Sequence, residues 1–432
     1  MLVPVALFPL MQRPELLIGA AVAVVAVLLG VRSVAAPVAL ASAPTIFIAL
    51  VGRNPFPPGA IALSVFAWTA LALVVAVARD EDALPPRAAL AGPLVFSLAL
   101  LTLMALRLAA SDAPDYGSIK MRLFLAQNVT LLVAGILIAR RRREMSLFIG
   151  LTLAVSTLTA LVLIKGLATG HGLATLGGRF SLYEDESPIG LAREASVGLI
   201  VSVYVLLSSR STVLRQLAIV AGPLIAVAFF ATGSRGPVVG LVAGFVVLFA
   251  LMLSDPYVRR RLLLLSVAVP AAAFLVTRLV PSADLQRSFS FLLFGNSSRA
   301  QSNGRYELWH QAYAAFHAHP VFGIGTGGFA SIVPAERYPH DLFLEAGAEL
   351  GILGAVFAAL VVGGGAVWLA RAATDTVGDE RGQAALVCAL FAAALVNALV
   401  SADLTGNNAL WLATGLGIGL AARRPMPAAG EP

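Results

Sequence analysis

A single cysteine, Cys388, occurs among 432 residues. It lies inside an apolar run, so no intrachain disulfide can form and cysteine usage says nothing about redox compartment. Charge is scarce too: 12% of residues are Asp, Glu, Lys or Arg, while 59% are hydrophobic. With a mean hydropathy of +0.89, this balance excludes an ordinary soluble domain. Alternation of polar and apolar residues is missing, which excludes a transmembrane β-barrel. No βαβ unit surrounds the glycine-rich stretch 323–329 (GIGTGGF), so it is rejected as a dinucleotide fingerprint and read as a flexible, close-packed turn. No small-residue cleavage site and soluble domain follow the first apolar run, so the first helices are expected to act as the targeting signal themselves.

What is present is a series of apolar runs of membrane-crossing length. Candidate spans are 16–31, 34–51, 60–78, 89–109, 121–139, 145–165, 195–207, 216–232, 237–254, 262–279, 349–370, 383–400 and 408–422. Only Arg32 and Ser33 separate the first two, so the expected count is 12 or 13. The expectation is an all-α, polytopic transmembrane helix bundle, a single integral membrane domain over 1–432, with a long, partly helical loop at 280–340. No inverted repeat of the transporter kind is evident. The net charge of +7 reads as a topology signal and not as a nucleic-acid footprint. Arg140–Arg143, Arg210 with Arg215, Arg259–Arg261, Arg371 with Arg381, and Arg423 with Arg424 fall on one side when the spans alternate. That side reads as cytoplasmic, and Asp80–Asp82 falls there as well. The opposite side receives 110–120, 166–194, the turn around Arg235, 280–339 and 401–407.

The richest polar stretch runs from Arg299 to Gly354. Residues 303–315 pattern as an amphipathic helix with Tyr306, Trp309, Tyr313 and Phe316 along one face, a stripe suited to packing on the bundle or the membrane interface. Arg305 sits in its first turn, where a cation opposes the helix dipole and an external anion is expected. His310, His317 and His319 suggest a metal site, but nothing is spaced to complete a coordination shell, so the structural reading prevails. The acidic run Glu184–Glu186 reads in the same way as a solvated loop face. Arg235, in ATGSRG at 231–236, breaks the sidedness rule. It either snorkels to headgroups or holds phosphate bidentately. His340 ends the loop where a helix re-enters the membrane and is the one side chain there suited to accept a proton near neutral pH. Arg179 and Arg193 flank the other outer loop, and Asp403 lies in the outer turn 401–407.

Four motifs together resemble the O-antigen ligase/polymerase superfamily of bacterial envelope glycosyltransferases: SRG at 234–236, G-R-x-x-x-W at 304–309, HPVFGIGTGGF at 319–329 and HDLFLEAGAELGILG from His340. The resemblance implies a glycan donor on undecaprenyl diphosphate, used at the periplasmic face of the inner membrane without nucleotide sugar, metal or other cofactor. It further implies His340 as the essential histidine and Arg235 and Arg305 as the arginines engaging the diphosphate; by their place on the same side, Arg179, Arg193, Asp341 and Asp403 are accessory candidates. Asp341 departs from the Asn usual after that histidine. A ligase acting on lipid A-core is preferred because no extra soluble domain is present; a polymerase or an O-linked protein glycosylase shares the same chemistry. A polysaccharide or lipid transporter is the alternative of another class, and it is disfavoured because charges gather at helix ends and not along a mid-membrane path.

Overall fold

The computed structural model describes residues 33–41, 46, 60–79, 92–169, 174–176, 179–182, 187–253, 255–262, 305–376 and 378–423. The expected span 16–31, nearly all of 262–279, most of 34–51, the acidic runs at 80–82 and 184–186, residues 280–304 of the long loop, and Arg424 lie outside the described residues. Among the described residues the chain is helical apart from an antiparallel ribbon of Ala174–Leu176 and Arg179–Ser181, with Leu176 opposite Arg179. Seven described helices are long and apolar enough to cross a membrane: Pro114–Arg140, Arg142–Leu167, Pro188–Ser208, Thr212–Ala231, Arg235–Met252, Leu342–Asp375 and Asp379–Val400. Shorter apolar helices run over Ser64–Arg79, Pro93–Leu108 and Asn408–Ala421. The protein is an all-α, multi-pass membrane bundle.

Lipid is as apolar as a leucine face, so close backbone approach and not hydrophobicity drives such helices together. Gly415 and Gly419 of Asn408–Ala421 lie against the backbone carbonyls of Leu132 and Ile136, and Gly135 answers from the other side against Leu416. Gly240 and Gly244 repeat the device: a Cβ there would lie 2.9 Å from the Ala393 carbonyl and 3.0 Å from that of Ala389. Trp411 closes the centre, fully buried, edge-on to Phe124 at 5.5 Å and donating its indole N–H to Ser97 Oγ at 3.1 Å.

Three helices begin earlier than hydropathy indicates. The expected span 121–139 starts at Pro114, 195–207 at Pro188 and 349–370 at Leu342. Proline suits the first helical position, where its missing N–H has no partner to lose. Asp341 caps the third helix, its Oδ1 accepting from the N–H groups of Phe343 and Leu344 at 2.9 Å each. As a result Lys120 and Arg193, expected in outer loops, lie within helices.

The helix Leu342–Asp375 is broken at Gly351, whose φ of 69° and ψ of −161° are not helical. The break frees the carbonyls of Ala348 and Glu349, which accept from Ile324 N–H and Gly325 N–H at 2.9 Å each, while Ile352 N–H turns to the Pro320 carbonyl at 2.8 Å. The glycine-rich stretch 323–329 is thus a collar around the break. It is closely packed, as expected, but it is tied down and not flexible: Thr326 Oγ1 donates to the Met104 carbonyl at 2.7 Å, and Arg107 Nε donates to the Phe322 carbonyl at 3.0 Å. A methyl at Gly351 would run into the Val321 carbonyl, so glycine is required there both for φ and for space.

The helix at the end of the long loop spans Arg305–Ala318, and the aromatic stripe is only part of its packing face. Leu308, Ala312 and Ala315 are buried against Phe329 and Ala348, while Tyr306 and Tyr313 are exposed. Small residues let this helix approach the collar closely, and Phe316 packs beside Gly347 of helix Leu342–Asp375.

Candidate functional site

The arginine clusters and the candidate residues occupy opposite ends of the bundle. At one end Arg142 and Arg423 share Glu380 Oε1, at 3.0 and 3.2 Å, and Arg261 donates to the Leu206 and Leu207 carbonyls at 2.6 and 3.0 Å. An open cavity of about 540 Å³ lies at this end, lined in part by Ser208, Arg210 and Asp379. None of the candidate residues lines it.

The other end begins with His340. Its ring stands edge-on to Tyr338 at 4.6 Å, with Nε2 3.4 Å from Glu336 Oε2. A neutral imidazole in this position donates from Nε2 to the carboxylate and keeps the Nδ1 lone pair; Nδ1 is buried with no hydrogen-bond partner among the described residues. Burial lowers the His340 pKa below its ordinary 6.5; the Glu336 hydrogen bond opposes this, and the charges of Arg305 and Arg193 push it further down. The residue is therefore neutral at neutral pH. Backbone strain collects here as well. Among the described residues, the three non-glycine residues with positive φ are Arg337 at 64°, His340 at 61° and Ala402 at 60°, all on the segments that form this end.

Arg193 reaches in from the start of helix Pro188–Ser208. Its Nη2 donates to the Ser401 carbonyl at 2.8 Å and that of Asn397 at 3.1 Å, and its Nη1 to Gly406 at 3.3 Å. The guanidinium thereby holds the bend 401–407 as a clamp. Within that bend Asp403 closes a local turn, its carboxylate accepting from Gly406 N–H at 2.6 Å and Thr405 Oγ1 at 2.8 Å. Arg235 opens helix Arg235–Met252, and the next residue, Gly236, lies beside Val400, the neighbour of Ser401. Arg305 opens helix Arg305–Ala318, and its charge reaches both His340 and Arg193. The fold thus gathers His340, Arg305, Arg193, Asp403 and the turn bearing Arg235. Asp341 is occupied as a helix cap, with burial raising its pKa against the two backbone donors. Arg179 lies on the ribbon's second strand, and its side chain is outside the described residues. His310, His317 and His319 are exposed, and among the described residues no three His, Cys, Asp or Glu side chains converge as a metal set.

Three further residues escaped the sequence reading. Lys120 is fully buried and ion-paired with both Glu345 and Glu349, lying 2.6 Å from the latter's Oε2. The available signal was the i, i+4 spacing of two glutamates on one face of an apolar helix, which in a membrane demands a cation. Arg337 and Tyr116 add a cation over a ring at 5.7 Å nearby.

Together these features define a polytopic membrane protein with a cation-rich polar site, built around a neutral imidazole, at one end of its bundle. Residues 220–359, about a third of the chain, match the family model described as O-Antigen ligase, a match that supports a likeness to the O-antigen ligase superfamily. The matched segment contains Arg235, Arg305, His340, Glu345 and Glu349; Lys120, Arg193 and Asp403 reach the same end from outside it. Comparison with curated proteins gives no match.

Proposed function

We propose that the protein is an O-antigen ligase-type enzyme that moves a glycan from undecaprenyl diphosphate to a hydroxyl of lipid A-core at the periplasmic face of the inner membrane. The observation that carries this reading is His340, kept neutral by burial among cations, with a carboxylate on one ring nitrogen and a free lone pair on the other. The acceptor hydroxyl gives its proton to this imidazole while its oxygen attacks the anomeric carbon. The bond from that carbon to the diphosphate oxygen breaks in the same displacement, so configuration inverts and no covalent enzyme intermediate forms. Charge grows on the departing diphosphate, and Arg235 and Arg305 neutralise it. A preorganised donor of this kind contributes about 3–4 kcal/mol to the transition state.

Sidedness follows from the arginine clusters: if they face the cytoplasm, the site faces outward. Asp341 enters this scheme as the cap that fixes the helix after His340, and Arg193 as the clamp on the Asp403 bend. The test is complementation of a deletion strain with His340→Ala, read on a glycan gel with membrane levels of the protein measured in parallel. Full-length polymer held on carrier beside bare lipid A-core is the expected result. Single-repeat caps would assign a polymerase, unchanged lipopolysaccharide with lost protein glycans a protein glycosylase, and wild-type glycan on a well-inserted variant would remove His340 from the chemistry.

A further inference from the structure

The proposed transfer leaves one set of buried charges without a task. Lys120, Glu345 and Glu349 have side chains only 0%, 1% and 3% exposed. Burying three ions is poor economy for stability, since apolar side chains of similar volume commonly hold a core at least as well. What the carboxylates hold with their remaining valence is more informative. Glu345 Oε2 accepts from Leu404 N–H at 2.8 Å, one residue beyond Asp403, and Glu349 Oε2 accepts from Gly327 N–H at 2.8 Å in the glycine collar. The Leu404 carbonyl is taken in turn by Asn128 Nδ2 at 3.1 Å. Asn128 lies in a π-helical turn, Phe124–Val129, of the helix that carries Lys120; the extra residue in such a turn shifts the helix face that follows. One ammonium therefore joins the first turns after His340, the bend beneath Arg193, and the collar that closes the helix break.

We infer that Lys120 is a positioning residue for the transfer, acting through Glu345 and Glu349 to set the Asp403 bend and the helix start behind His340 against each other. The inference rests on the glycosyl-transfer reading above. Lys120 is walled off from solvent and touches no reacting atom. Its effect is on geometry, where displacement of a catalytic group by about 1 Å is worth roughly 100-fold in rate.

The experiment uses full-length protein in phospholipid nanodiscs, assayed for transfer from an undecaprenyl-diphosphate glycan, with hydrogen exchange followed by peptide. Lys120→Met is expected to lower kcat about 100-fold with donor KM changed less than about 3-fold. Amide protection should fall in 323–329 and 401–407 and persist in 408–421. Lys120→Arg, which keeps the charge and several donors, is expected to recover most of the rate. Because Lys120→Met leaves two buried carboxylates unpaired and can fail to fold, Glu345→Gln is the second variant. It keeps the shape and an acceptor for Leu404, leaves Lys120 paired with Glu349, and is expected to lose about 10-fold in kcat with KM unchanged. Wild-type kcat in Glu345→Gln, a loss confined to KM, or protection lost evenly through the bundle would each overturn the inference. His340→Ala run alongside separates the two claims: if it transfers normally the glycosyl-transfer reading fails, and if it is inactive while Lys120→Met and Glu345→Gln are not, the positioning role alone fails.

Discussion

The two ends of the bundle hold their cations differently. At the arginine-rich end Arg210 meets Asp379 at 3.5 Å with both side chains mostly exposed, and Arg261 satisfies the last carbonyls of helix Pro188–Ser208. These are exposed pairs and helix-end caps, each worth a fraction of a kcal/mol; Arg423, 5% exposed against Glu380, is the exception at this end. At the other end Lys120 is fully buried between carboxylates, Arg193 is spent on three carbonyls, and His340 stands in a left-handed backbone conformation. A bundle needs only the first arrangement to stand in a membrane. The second costs desolvation and strain, and such costs persist where geometry itself is under selection.

The contrast can be broken by mutation, and the largest effect is expected at the proposed proton acceptor. His340→Ala should reduce transfer by about 10²–10⁴-fold, measured as turnover per molecule of folded protein. Arg305→Ala and Arg235→Ala should each lower kcat by about 10²–10³-fold. Lysine at either position should recover only part, because it lacks the planar fork that meets a phosphate bidentately. A KM change at constant kcat would instead assign the two arginines to ground-state binding. A bulky residue at the glycine packing seam tests stability: Gly415→Leu would drive a Cβ into the Leu132 backbone carbonyl and should cost about 3 kcal/mol or more by overpacking. It should appear as a lower midpoint of thermal unfolding in detergent.

Acidity sharpens the same comparison. The pKa of His340 is lowered from 6.5 in the folded protein, so both the base form and the associated stability are present above that value and are lost as pH falls through the lowered one. The acid limb of kcat/KM should therefore lie below pH 6.5. Glu336 raises the His340 pKa by hydrogen bond and by charge, so Glu336→Gln should move the limb to still lower pH. A limb that stays in place would remove Glu336 from contact with the working base. The smallest effect belongs to the arginine end: Arg142→Ala breaks a pair whose arginine side chain is 52% exposed and should cost under about 1 kcal/mol, with kcat unchanged.

Much of this was legible before any coordinates. The helix spacing of apolar residues, the opposite placement of the arginine clusters, and the presence of His340, Arg305 and the Arg235 turn at the other end are local features, visible as runs and short motifs. The aromatic stripe on 305–318 accounts for only part of the packing face: Phe316 packs beside Gly347, while Leu308, Ala312 and Ala315 are the residues buried beside the collar. Lys120 and Arg193 were placed in loops because hydropathy counts a charge against a helix without knowing its partner. Asp341 looked like chemistry, and its Oδ1 is occupied in capping.

The sequence by itself determined that this chain lives in a membrane, that it is helical, and which of its ends carries unusual polarity, because hydropathy and charge placement accumulate residue by residue along the chain. Tertiary structure alone decided which charges meet. Lys120 and Glu349 are 229 residues apart, and Arg193 grips carbonyls more than 200 positions away, at separations of 204, 208 and 213 residues. An ion in an apolar bundle is tolerated only beside its partner, and no local pattern specifies a partner supplied by another helix.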